Sequence, residues 1–293
     1  MTALGPNHAS QVTGLDHVGF IVVDLEAACS LLGQLGFRLT ARADHTRTDA
    51  SGHAVPAGSS QRSAMFRRGY VEVMQITDPD AGHQLSAAIR VRHGLHVVAL
   101  GTDDAAACHA ACLRQGVAAG PLQNWSRPVR DGTMQGVARF SYFDSRWNPH
   151  DPSYICWVQH RTPELLRPTG VVDHDNGALC LLGVQYRGPR RLAKEWAAQL
   201  RAAGATCWRE RAGGFTLGFS EAGLDIDVDD NMDAVLPTAV LVEFADMEWL
   251  RQRCAALGIA VRTQAAGALE VDLQQVFGLR WLCMPAGASG SRV

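Results

Sequence analysis

No apolar run in the 293-residue chain approaches the length of a membrane span. Met1 to Gln11 has no apolar segment of the kind a secretory signal carries. Net charge is nearly absent as well. A formal value of -2 at pH 7 offers little to nucleic acid or to an anionic membrane. The basic residues that do gather, Arg187, Arg190, Arg191 and Lys194 and then Arg209 and Arg211, read as a solvated helix face and strand end. Zinc-type cysteine pairs are also missing. The eight cysteines are scattered, and Cys29, Cys108, Cys112 and Cys254 sit beside alanines in expected helices, where cysteine serves as a small hydrophobe. A reduced, cytoplasmic protein is expected, with a small molecule as its partner and neither nucleic acid nor membrane. Hydrophobic residues make up 47% of the chain, enough for a well-buried core in one large domain or two of about 150 residues.

What is present is a repeat. Gly14-Leu15-Asp16-His17 opens an apolar strand that ends at Asp24, a candidate helix cap. Gly94-Leu95-His96 opens another, ending at Asp103-Asp104. A short helix follows each, closed at Gly36 and at Gly116. The period is roughly eighty residues. Taken alone, His17 among Leu15, Gly19 and Ile21 is either a satisfied core histidine or a ligand.

The first unit continues with strands expected at Phe37 to Ala43, Arg62 to Arg67 and Tyr70 to Ile76, and a polar loop from Asp44 to Ser60. The second unit has a strand candidate from Thr133 to Asp144. Its last strand, Tyr154 to His160, lines up with Tyr70 to Ile76 and sets Cys156 opposite Glu72. The two prolines in His160 to Pro168 argue for a connector. Two further strand–helix–three-strand units then fit Ala178 to Val228 and Thr238 to Cys283. In the third, Asp225, Asp227 and Asp229 alternate onto one face, as an exposed edge would require.

These residues carry a family resemblance. Paired βαβββ units, with a strand-borne histidine at the start and a strand-borne glutamate at the end, resemble the vicinal oxygen chelate superfamily. That superfamily includes glyoxalase I, extradiol dioxygenases and bleomycin resistance proteins. Gly14 to His17, Gly36-Phe37, Tyr70-Val71-Glu72, Gln159 to Leu165 and Asn176 to Ala178 resemble, more narrowly, bacterial glyoxalase-like domain proteins. The resemblance implies an α+β fold of four βαβββ modules paired into two open cupped barrels. It divides the chain into an N-terminal domain over 12–165 and a degenerate C-terminal one over 166–287. A divalent metal, Fe, Mn, Ni or Zn, is implied in the first cup, and the matching positions are His17, Glu72, His96 and Cys156. The first three are ordinary metal ligands. Cys156 departs from the pattern, as a thiolate ligand, an idle thiol or small packing. The superfamily often exchanges units between chains, so a homodimer is open.

Glu72 is the strongest single point, because a carboxylate inside Tyr-Val-Glu-Val-Met-Gln-Ile is costly to bury without a pair or a cation. The alternative is a salt bridge to Arg67, Arg68 or Arg139. With a metal, the expected activity is a lyase or isomerase reaction on a small oxygenated metabolite. Glu72 and His160 are the candidate catalytic groups, His45 a further helper, and Tyr70 and Tyr142 the candidate substrate contacts. Two other readings stand beside it. One is a metal-free binding or sequestering protein with a groove lined by Trp125, Trp147 and Trp157; the other is a ring-cleaving extradiol dioxygenase.

Overall fold

The computed structural model describes residues 12–49, 51–145, 153–168 and 170–287. Four strand–helix–three-strand modules follow one another, as the repeat requires. The first comprises β1 (Val12–Ile21), α1 (Leu25–Gln34), β2 (Ala43–Thr48), β3 (Ala54–Met65) and β4 (Tyr70–Ile76). A linker holding the short α2 (Ala88–Val91) leads to β5 (Gly94–Thr102), α3 (Ala105–Arg114), β6 (Gln123–Asp131), β7 (Met134–Ser145) and β8 (Tyr154–His160). The third module has β9 (Ala178–Gly188), α4 (Arg190–Ala202), β10 (Cys207–Arg211), β11 (Gly214–Phe219) and β12 (Ala222–Val228). The fourth has β13 (Leu236–Phe244), α5 (Met247–Ala256), β14 (Val261–Thr263), β15 (Leu269–Asp272), α6 (Gln274–Phe277) and β16 (Arg280–Pro285). The expected caps hold: Asp24, Asp104 and Asp246 accept from the backbone N–H of Ala27, Ala107 and Trp249 at 2.9–3.0 Å.

The two halves differ in closure. In the first, β1 pairs with β5 and β2 with β6, giving a closed barrel in the order β1-β4-β3-β2-β6-β7-β8-β5. In the second, β9 pairs with β13, but β10 and β14 remain edges of an open eight-stranded sheet. Two open cups were expected, and strand length explains the difference. β3 and β7 are 12 residues long, whereas β11 and β15 have 6 and 4. Only the longer, tilted strands bring β2 to β6, where Thr46 Oγ1 meets Ser126 Oγ at 2.7 Å.

Three local expectations are corrected. The polar stretch from Asp44 to Ser60 is mostly β2 and β3, not a loop, and Phe37 to Arg42 carries no strand. Polar strand residues here face inward and find partners, as where Ser59 Oγ lies 2.9 Å from His45 Nδ1. β6 was hidden by Pro128, which is tolerated because β2 pairs only with Trp125 and Ser126. The acidic β12 is no edge; it lies between β11 and β9, and Arg211 pairs with Asp227 at 2.5 Å.

One hydrophobic core joins the halves. Phe20 of β1 meets Phe277 edge-on at 5.3 Å between ring centres, and Phe37 meets Trp281 at 5.6 Å. Trp157 stacks on Phe143 at 4.8 Å within this core. The barrel therefore has an outer wall packed on the second half and an interior left for something else. No helix among the described residues is long and apolar enough to cross a membrane.

His174 pins the connector to the barrel. Its Nδ1 accepts from the Arg38 backbone N–H and its Nε2 donates to the Met65 carbonyl, each at 2.9 Å. Burial, then the nearby Arg38 charge, push its pKa down from 6.5 to about 4. The unfolded chain therefore binds this proton first. Its contribution is complete above pH 6.5 and is lost as pH falls toward 4, by at most roughly 3 kcal/mol. Denaturant melts from pH 7 to pH 4 are expected to show this loss in the wild type and a flatter profile in His174→Ala.

Candidate functional site

Strand alternation turns a defined set of side chains into the barrel. From β4 these are Tyr70, Glu72 and Met74; from β8, Tyr154, Cys156, Val158 and His160; from β6, Trp125 and Arg127. They enclose about 770 Å³ of space, counting its mouth. One side of this space is capped by a polar knot, in which Gln84 Nε2 donates to the hydroxyls of Tyr142 and Tyr154 at 2.8 and 3.0 Å. The exposed Arg139 and half-buried Thr162 mark the side that meets solvent.

β1 departs from regular alternation. Leu15 pairs with Leu100 and His17 with Ala99, so Asp16 and His17 together oppose one residue. Such a bulge re-aims side chains. Leu15 turns to the outer core, while His17 enters the cavity and stacks on Tyr70 at 4.4 Å. Asp16 stays behind it. A single Asp16 oxygen, Oδ2, meets His17 Nδ1 at 2.7 Å and His160 Nε2 at 3.0 Å. Burial alone would raise the Asp16 carboxyl, but His160 and then His17 outweigh it and hold the group well below the usual carboxylate range. An ionised carboxylate only accepts. Both histidine nitrogens that face it therefore carry protons.

Glu72 lies beyond His17. Its Oε2 is 4.0 Å from His17 Nε2 and its Oε1 is 3.5 Å from His45 Nε2. Burial again is the largest influence and acts upward, but His45, His17 and Arg127 together pull the carboxyl below its ordinary value. Glu72 is thus a charged carboxylate with an imidazole at each oxygen. The alternative, a salt bridge to Arg67, Arg68 or Arg139, is absent among the described residues. The 4.0 Å gap is too wide for a direct hydrogen bond and is the width at which a hydroxyl can bridge.

His96 corrects the ligand expectation. With Gly14 aligned on Gly94, Asp16 matches His96 and His17 matches Val97. Val97 lines the cavity. His96 is buried on the other face, with Nδ1 3.1 Å from Ser153 Oγ and Nε2 3.1 Å from the Arg92 carbonyl. β5 carries a matching bulge, with Leu95 paired to Phe20 and Val97 to Gly19, so His96 takes the unpaired position that Asp16 has on β1 and Val97 takes the cavity position of His17. The four positions the fold would use for a metal are therefore His17, Glu72, Val97 and Cys156. Valine cannot ligate. Burial, Asp144, Asp16 and Glu72 push the Cys156 thiol up, which keeps it protonated. A cation needs donors converging on one point about 2.0–2.2 Å away. Here the carboxylate lies between two imidazoles, each facing its own oxygen. Among the described residues no group of three or more histidine, cysteine, aspartate or glutamate side chains is placed to hold a metal. The residues present do not fit the metal centre implied by the resemblance.

The remaining expected residues divide. Tyr70 faces the cavity, and its hydroxyl has no partner among the described residues; burial, Asp16 and Glu72 keep it a neutral phenol. The Tyr142 hydroxyl is committed to the Gln84 knot. His160 joins the Asp16 pair and lines the cavity. Of the three tryptophans, Trp125 lines the cavity, Trp157 faces the outer core, and Trp147 lies outside the described residues. Asp16 and Arg127 were not anticipated. The acid next to His17 and the alternation Trp125, Arg127, Val129 were the available signals, the second masked by Pro128.

Solved structures share this architecture. A hypothetical protein from Staphylococcus aureus superposes with a TM-score of 0.62 at 12% identity, covering 92% of this chain and 98% of its own. A Mn(II)-bound glyoxalase from Novosphingobium aromaticivorans gives 0.57 at 12%, with coverages of 94% and 83%. A mutant 4-hydroxymandelate synthase from Streptomyces coelicolor gives 0.54 at 11%, with 94% and 92%. At these identities the likeness is one of fold. No curated protein matches the chain. The family described as "Glyoxalase-like domain" matches residues 15–204, which is most of the chain. The bulged histidine strand, the inward glutamate and the paired βαβββ modules thus belong to a member of the glyoxalase-like domain family, within the vicinal oxygen chelate superfamily.

Proposed function

We propose that this chain is an enzyme of lyase or isomerase type, which takes a small oxygenated metabolite into the N-terminal barrel and moves a proton on it. The observation that carries the reading is Glu72, charged and almost buried on the cavity wall, with an imidazole nitrogen at each oxygen. Carboxylates whose pKa is shifted by burial and by specific charged partners in a cleft cluster at functional sites. A carbon acid or hydroxyl beside a substrate carbonyl would give its proton to Glu72. A carboxylate with a depressed pKa holds that proton poorly, so it passes to His17 or His45. Asp16 fixes the ring of His17 and stabilises the imidazolium that forms. The free hydroxyl of Tyr70 donates to the substrate oxygen as charge builds there. Return of the proton to a neighbouring atom completes an isomerisation; loss of a leaving group completes an elimination.

The same chemistry assisted by Fe, Mn, Ni or Zn, or an iron-dependent ring cleavage, would require His17, His45 and Glu72 to regroup around a common point. A binding or sequestering protein is the second reading. It is favoured by the aromatic wall of Trp125 and Phe140, which pack edge-on against His45 at 5.9 and 6.4 Å.

Two measurements separate these readings. Small 2-oxo acids and hydroxyketones incubated with the protein in D2O are expected to exchange a carbon-bound proton, read by NMR, with at least a hundredfold loss in Glu72→Gln. Tight binding of a ligand with no exchange in any variant would leave only the binding protein. Elemental analysis of protein purified without added metal is expected to find well under one equivalent per chain. A stoichiometric metal, lost in His17→Ala/Glu72→Ala with the fold intact, would restore the metal-assisted route.

A further inference from the structure

We infer that Arg127 is the anion-binding residue of the barrel and that the ligand is a small carboxylate with an apolar or aromatic body. This rests on the barrel cavity being the ligand site, not on the proton chemistry assigned to Glu72. Arg127 sits at the middle of the inward face of β6, between Trp125 and Val129. It is 9% exposed and lines the cavity. Among the described residues its guanidinium has no hydrogen-bond or ion-pair partner. Two other arginines of the barrel have partners: Arg62 donates to the Thr40 carbonyl at 2.9 Å, and Arg42 to Ser60 Oγ at 3.0 Å.

A guanidinium is always charged, and one buried without a partner is expensive. Its nearest carboxylate in the cavity, Glu72, is beyond ion-pairing distance and already serves two imidazoles. In the eight-strand order β6 stands diametrically across from β1. Arg127 thus faces the His17 wall over open space. The planar fork of arginine matches a carboxylate through two parallel N–H···O bonds. Trp125, Phe140, Met74, Val97 and Val158 of the same cavity offer apolar surface for the body of the ligand. With the carboxylate on Arg127, the body of the ligand extends toward Glu72 and the hydroxyl of Tyr70.

The probes are phenylacetate and its neutral isostere phenylacetamide, titrated by calorimetry and by NMR shift. Wild type is expected to bind the carboxylate at least tenfold tighter than the amide. Arg127→Gln is expected to bind both equally, with the affinity for the amide unchanged. Arg127→Lys should keep part of the preference, since it keeps the charge and loses the fork; it decides the matter if Arg127→Gln fails to fold. Arg139→Gln, at the mouth, should leave the preference intact. A preference that survives in Arg127→Gln, equal binding of both probes by wild type, or no binding of any carboxylate from acetate to indoleacetate overturns the assignment. Carboxylate-selective binding without proton exchange would defeat the enzyme reading alone. Proton exchange without carboxylate selectivity would defeat this one alone.

Discussion

Asp16 and Glu72 are two buried carboxylates kept ionised in the barrel, and most of the site is arranged to tolerate them. Each would be driven to its neutral form by burial, and each is instead held low by neighbours. Asp16 takes two imidazole donors on one oxygen. Glu72 has one imidazole beside each of its oxygens. The result is a line of groups, His160, Asp16, His17, Glu72 and His45, hydrogen-bonded from His160 through Asp16 to His17 and held at His45 by Ser59, with Glu72 between the two imidazoles at wider distances. It sets a defined place where a proton can be given and taken.

That network depends on a single irregularity of backbone. Without the bulge opposite Ala99, Leu15 and His17 would share a face, and Asp16 would point away from both histidines. With it, the acid and the neighbouring imidazole act together. The second module has the matching bulge, but Val97 follows it where β1 has His17, and His96 is a buried structural residue bonded to Ser153 and the Arg92 carbonyl. One module of the barrel thus carries both carboxylates, with His17 and His45. The other supplies wall and cap, with Cys156, Val158 and Tyr154 on β8 and Arg127 on β6.

Closure of the barrel determines what such groups can do. An open cup leaves charges wet, where they interact weakly. Pairing of β2 with β6 shuts the ring, and the Gln84, Tyr142 and Tyr154 knot caps one side. The second half stays open and contributes its core instead. Phe277 and Trp281 back the outer face of β1 through Phe20, so the strand that carries the bulge is buttressed from outside.

The amino-acid sequence by itself determined the four modules, their helix caps and the inward direction of Tyr70, Glu72 and Met74. These follow from glycine and aspartate punctuation and from alternation, which are local. It also set Cys156 opposite Glu72, since the repeat fixes β8 against β4. The two Gly-Leu openings differ by one residue before the histidine, so His96 stands where Asp16 stands; the paired bulges, which local rules do not contain, turn His17 and Val97 into the cavity. Nor do local rules say whether a sheet closes. The polar segment from Asp44 to Ser60 and the proline in β6 looked like loops because their polar side chains are satisfied by pairing, within the β2–β3 hairpin and across to β6, that no single strand's pattern displays. The grouping of His45, Glu72 and Arg127 in one cavity, and the separation of their donors into pairs rather than a metal centre, are consequences of ring closure. Only the tertiary structure could decide them, because each depends on contacts made across the barrel between residues far apart in the chain.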